Sequence, residues 1–249
     1  MSWLSLLLLC VGLSDLLAST RPAWRRMGLL AAVAATAAVA GLAALLTLPD
    51  LIAVGVIFVA TCLWSLMATH AESSPVQARR TLATLAIPAA ALLAGSGYAS
   101  PVGGPFAAWL SWVDVPALAN RTPGQALMLA AVVVTNLSTA NRVVRLALVA
   151  VDAHPPRLVA SSGQGPASET LRGGRLLGPM ERLLIIGFGA AGHIEAAAVV
   201  VAAKGILRFP ELQAAARQEP RAVDEVTEYF LVGTFASLLV ALASVVLLT

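Results

Sequence analysis

The sequence predicts an all-α integral membrane protein of about seven transmembrane helices, or six with one re-entrant or interfacial segment. Three observations predict it. Of 249 residues, 59% are hydrophobic and only 12% charged, where a soluble domain carries about 25% charged and roughly 45–50% apolar residues. Mean hydropathy is +0.85. Apolar runs close to the ~20 residues a helix needs to cross a ~30 Å hydrocarbon core recur along the chain. The same numbers exclude a water-soluble globule. They also exclude disorder, which goes with low apolar content and high charge.

Residues 4–13 are as long as a signal-peptide core, ending near Ala18-Ser19-Thr20. They follow Met1-Ser2-Trp3 without positive charge and precede Asp15, so they read better as a short first membrane helix with a polar residue. The uncharged runs 27–48 and 51–69 read as the second and third spans. Residues 81–113 are also uncharged, but Pro88, Pro101 and Pro105 with Gly95, Gly97, Gly103 and Gly104 divide them. They give a fourth span to about Gly95, a Gly/Pro-rich loop, and an interfacial segment over 106–113 with Trp109 and Trp112 at headgroup level. Residues 122–141, 183–203 and 229–249 are the fifth, sixth and seventh spans, the sixth interrupted only by His193 and Glu195. Residues 154–179, with Pro155-Pro156 and Gly173-Gly174, have the turn chemistry of a hydrophilic linker. The chain divides into 1–150 with about five spans, a linker over 151–180, and 181–249 with about two. No internal repeat is visible, so an inverted-repeat transporter is not directly indicated.

Orientation follows from the excess of Arg and Lys on cytoplasmic loops. With the N-terminus outside, Arg21, Arg25, Arg26, Arg79, Arg80, Arg142, Arg145, Arg157, Arg172, Arg175 and Arg182 lie inside. Arg121, Lys204, Arg208, Arg217 and Arg221 lie outside, a bias of 11 to 5. If Gly187, Gly189 and Gly192 turn the sixth span back as a re-entrant hairpin, the last four move inside; both arrangements stay open. The net charge of +3 does not point to nucleic acid, because the 16 basic residues are scattered between apolar runs and form no basic face. They suit loops beside an anionic membrane surface. Cys10 and Cys62 lie inside apolar runs with no Cys/His cluster, so no disulfide, zinc site or other cofactor is expected.

Gly187, Gly189 and Gly192 form a literal Gly-x-Gly-x-x-Gly, and Glu211 follows 19 residues past Gly192. That is close to the spacing of a dinucleotide fingerprint, whose glycines admit a pyrophosphate to a helix N-terminus. A nucleotide fold needs several βαβ units, however, and beyond Glu211 there is only a charged connector and a membrane span. Close helix packing is the better reading of the small residues.

Ionisable residues inside spans are functional candidates, each costing roughly 2.5–3.5 kcal/mol at a helix centre on insertion scales. Glu195 lies near the middle of the sixth span and Asp15 in the first. On a straight helix His193 and Glu195 point to opposite sides and cannot pair. Glu195 shares a face with Ala191, Gly192 and Ala198, so a neighbouring helix can bring Asn136, Asn141 or Asp15 as partner. It reads either as a structural lock or as a proton, ion or substrate station. A second patch flanks the linker, with Asn141, Arg142 and Arg145 before it and Arg172, Arg175, Glu181 and Arg182 after it. Its guanidiniums suit lipid phosphates or positive-inside anchoring.

Four blocks carry a resemblance: Ser138-Thr-Ala-Asn-Arg-Val-Val-Arg, Gly174-Arg-Leu-Leu-Gly-Pro-Met-Glu-Arg-Leu-Leu-Ile, Ala202-Ala-Lys-Gly-Ile-Leu-Arg-Phe-Pro-Glu-Leu, and Glu228-Tyr-Phe-Leu-Val-Gly-Thr. In order and spacing they resemble an uncharacterised bacterial family of polytopic membrane proteins, a domain of unknown function, over about residues 136–248. The resemblance implies a multi-pass protein of the bacterial plasma membrane. It marks Asn141, Arg142, Arg175, Glu181, Arg182, Lys204, Arg208 and Glu228 without assigning chemistry. The N-terminal half departs from it: relatives open with a His and an Asp on the first helix, and only Asp15 corresponds here.

Three functions fit these residues. The first is a non-catalytic membrane partner or assembly subunit, bound to another membrane protein or to its own copies. The second is a transporter or ion-coupled carrier using Glu195 and Asp15. The third is an intramembrane enzyme on a phospholipid-like substrate, with Arg175, Arg182 and Lys204 on phosphate and Glu181 or Glu228 as base. With no nucleophile–base pattern and no metal-ligand spacing, the first is preferred.

Overall fold

A computed structural model describes residues 1–20, 25–69, 71–113, 115, 118, 121–153, 174–206 and 220–249. Among these residues every regular element is helical: α1 Ser2–Thr20, α2 Arg25–Leu42, α3 Leu48–Met67, α4 Pro75–Ala94, α5 Gly104–Trp112, α6 Pro123–Leu137, α7 Thr139–Ala150, α8 Gly174–Ala190, α9 Ala196–Ile206 and α10 Pro220–Val246. Most of the linker and the residues around Arg208 and Glu211 lie outside the described residues.

Four of these helices are long and apolar enough to cross a membrane, with windows at Ser2–Ser19, Leu48–Met67, Pro75–Tyr98 and Glu228–Val246. A fifth is reached if α6 and α7 count as one span broken at Ser138. Three local stops account for the difference from seven uninterrupted spans. The run 27–48 does not continue as helix because α2 ends in a Schellman motif, in which Leu45 N–H bonds the Ala40 carbonyl and Ala44 N–H the Gly41 carbonyl. Ala44 takes the left-handed φ of 57° there. The run 122–141 breaks at Ser138, whose hydroxyl donates to the Val134 and Gly12 carbonyls and so competes with the helix ladder. The sixth run breaks at Gly192, as described below.

Helix starts are more regular. Thr47 with Asp50, and Thr122 with Gln125, form reciprocal capping boxes, each with a proline in the first turn where no N–H partner is needed.

The described chain forms two compact units. The first comprises Met1–Ala71, Arg80–Thr139 and Leu248. Its centre is α1, which packs against α2, α3 and α6. Leu6, Leu7 and Cys10 are completely buried, which suits a helix that is apolar all round. Gly12 lets α6 approach closely, since a Cβ there would sit 3.0 Å from Val134 Cγ1. Across this contact the Thr135 hydroxyl donates to the Leu8 carbonyl at 2.9 Å. In α5 none of the side chains is buried, and Trp112 is 83% exposed.

The second unit comprises Glu72–Arg79, Ala140–Leu247 and Thr249, so α7 belongs to it rather than to the N-terminal spans. Ile185 of α8, Ala197 of α9 and Ala241 of α10 form its apolar core, with Val200 and Leu238 packed against them. The Arg79 guanidinium donates twice to the Ala150 carbonyl, placing a cation at the C-terminal end of α7.

Candidate functional site: two buried polar clusters and a hairpin tip

In the first unit each of two carboxylates is held by an indole. Asp15, 4% exposed on α1, accepts from Trp64 Nε1 of α3 at 3.0 Å and from the Thr139 hydroxyl at 2.8 Å. Asp50, fully buried at the start of α3, accepts from Trp3 Nε1 of α1 at 2.7 Å and from Ser100 N–H at 3.2 Å. Its other oxygen accepts from the Thr47 backbone and hydroxyl. The two pairs are reciprocal: each helix gives one Trp and one Asp, and the helices run in the same direction. Sequence reasoning singled out Asp15 but missed Asp50, Trp3 and Trp64. A Thr-x-x-Asp capping pattern at Thr47 and the need of a buried indole N–H for an acceptor were the available signals.

In the second unit residues of the four sequence blocks converge. Glu181 of α8 and Lys204 of α9 pair at 2.6 Å, with side chains 15% and 20% exposed. Arg182, 2% exposed, donates to Asn141 Oδ1 of α7 at 2.6 Å and to the Ser237 hydroxyl of α10 at 3.2 Å. Thr234 and Ser237 line the same small cleft as Glu181 and Lys204. One residue or more from each of the four blocks thus meets in one place. Arg182 precedes the apolar stretch that begins at Leu183. Ser237 was not singled out from sequence, since a lone Ser in an apolar helix gives no signal.

Of the remaining candidates, two described ones lie on α7 and one on α10. Arg142 on α7 is half-buried, Arg145 pairs with Glu72 at 3.7 Å with both side chains 59% exposed, and Glu228 on α10 is exposed. Arg175 lies in α8 with its side chain outside the described residues, and Arg208 lies outside them altogether.

Glu195 is placed differently from expectation. α8 ends at Ala190 in a Schellman motif: His193 N–H bonds the Phe188 carbonyl, Gly192 N–H bonds the Gly189 carbonyl, and Gly192 has φ +82°. The chain reverses, and α9 returns beside α8 so that Lys204 meets Glu181 and Ala197 meets Ile185. The straight helix that would keep His193 and Glu195 apart does not exist here. They sit at the hairpin tip, His193 Nδ1 3.6 Å from Glu195 Oε1, with side chains 70% and 75% exposed. None of the three partners expected for Glu195 from a neighbouring helix is the one it meets.

Each glycine of the Gly-x-Gly-x-x-Gly has a structural setting unlike a dinucleotide site. The preceding run is helix, not strand. Gly189 faces α10 so closely that a Cβ would lie 2.6 Å from Val245 methyls, Gly192 supplies the left-handed turn, and Gly187 faces open space. Among the described residues, no three His, Cys, Asp or Glu side chains are placed to hold a metal ion.

No family model matches the chain. No curated protein and no solved structure matches it either.

Proposed function

We propose that the chain is a multi-pass protein of the bacterial plasma membrane that works as a non-catalytic partner subunit. The observation that carries this is how the buried ionisable groups are used. Asp15, Asp50, Glu181, Lys204 and Arg182 are all engaged by side chains or backbone of their own unit, so they act as fastenings between helices. A transport station or a phosphate grip needs such groups directed at a substrate. The more exposed of the two exposed ionisable pairs is His193–Glu195, at a turn.

The topology in this proposal has six crossings, by α1, α2, α3, α4, the broken α6–α7 pair and α10, with α8–α9 re-entrant. At ~1.5 Å per residue, the 11 residues of α9 reach ~16 Å, half of a ~30 Å core. Re-entry puts Lys204, Arg208, Arg217 and Arg221 on the side of the other arginines and leaves Arg121 alone opposite. The outer ends in this scheme also meet one another: Ser2 and Asp50 both bond Ser100, and Gly103 N–H bonds the Ala43 carbonyl. α5, with Trp109 and Trp112 exposed, lies along that surface as an aromatic anchor.

Native mass spectrometry of the protein drawn from its own membrane in mild detergent tests the reading. A stoichiometric companion chain, identical or different, is the expected result. A lone chain holding a lipid or small molecule that Glu195→Ala releases would overturn it in favour of transport or lipid chemistry.

A further inference from the structure

We infer that the tip of the α8–α9 hairpin is a two-fold contact between two copies of this chain, with His193 of each copy against Glu195 of the other. The inference rests on the membrane-partner reading and names its partner and its patch. At 3.6 Å the two groups are too far apart for a hydrogen bond, so both retain bonding capacity at 70% and 75% exposure. In the re-entrant arrangement this tip lies near mid-bilayer, where ionisable groups are costly and face protein or a water-filled cavity rather than lipid.

The pair is self-complementary. An imidazole donor and a carboxylate acceptor stand side by side, so a two-fold axis between two copies sets each imidazole against the other copy's carboxylate and makes two bonds at once. A different protein would have to supply a matching acid and base in the same geometry; a second copy has both. The approach is open as well. Gly187 and Ala191 are exposed one turn apart, and a Cβ at Gly187 would meet nothing within 4 Å. Small residues on such a face let helices come close.

Ile194, 45% exposed between the pair, is the reporter position. A Cys62→Ala, Ile194→Cys chain, with the fully buried Cys10 retained, is oxidised in native membranes with copper phenanthroline, and only chain that survives a carbonate wash is scored. The expected product is a disulfide-linked dimer, absent without Ile194→Cys. Adding His193→Glu sets acid against acid and lowers its yield at least about tenfold. Adding Glu195→His instead sets imidazole against imidazole and also lowers it. Co-expressing these two variants restores a mixed dimer, because each then offers what the other lacks. A membrane-retained chain that gives no Ile194→Cys dimer, or a dimer indifferent to His193→Glu, overturns the inference. A stoichiometric companion of different mass bound to a single copy of this chain overturns it too while leaving the partner reading standing. Loss of the chain to the carbonate wash overturns both.

Discussion

The two units handle buried charge in opposite ways. In the first, Asp15 and Asp50 accept from indole, hydroxyl and backbone donors on helices that touch directly. The second matches charge with charge at Glu181–Lys204 and spreads Arg182 over an amide and a hydroxyl. Neutral donors hold a carboxylate through geometry, so each contact is individually modest. An ion pair removed from water depends on both members, so losing one is severe.

The sharpest break of this comparison is Lys204→Met. It keeps the length of the side chain but leaves Glu181 mostly buried without its cation, and we expect a loss of about 3 kcal/mol in reversible detergent unfolding. Equal stability would mean that the pair is not a fastening. Next comes Trp64→Phe, which removes one donor from Asp15 and keeps the ring. The expected loss is about 1–2 kcal/mol, measured the same way, and a loss matching that of Lys204→Met would erase the distinction between the units. Arg145→Ala sets the baseline. Its partner Glu72 is as exposed as it is, so the change stays below about 0.5 kcal/mol; a larger effect would show that exposure is a poor guide in this chain.

What was legible in the sequence depended on distance along the chain. The helical class follows from the apolar runs themselves. The turn-back of the sixth run was readable as an alternative because its three glycines are local, and Gly192 carries the left-handed residue that ends α8. The segment around Trp109 and Trp112 likewise forms a short exposed helix. The Asp–Trp pairs, by contrast, join residues 47 and 49 positions apart, and nothing near either partner announces the other. Placing Asp50 between two spans concealed it as a loop residue, although it is completely buried. Glu195 differs for a related reason: a continuous helix would turn it toward the face of Ala191, Gly192 and Ala198, and a single glycine three residues earlier redirects it.

The reciprocal Trp–Asp pairs have a mechanical consequence. Trp3 and Asp15 are spaced by ~18 Å along α1, and Asp50 and Trp64 by ~21 Å along α3, at ~1.5 Å per residue. Two fastenings that far apart fix both the axial register and the rotation of one helix on the other. A piston-like slide of one turn, ~5.4 Å, would have to rupture both at once, and twisting α1 would swing Trp3 and Asp15 away together. The α1–α3 pair is therefore a strut, against which any moving part must work from elsewhere.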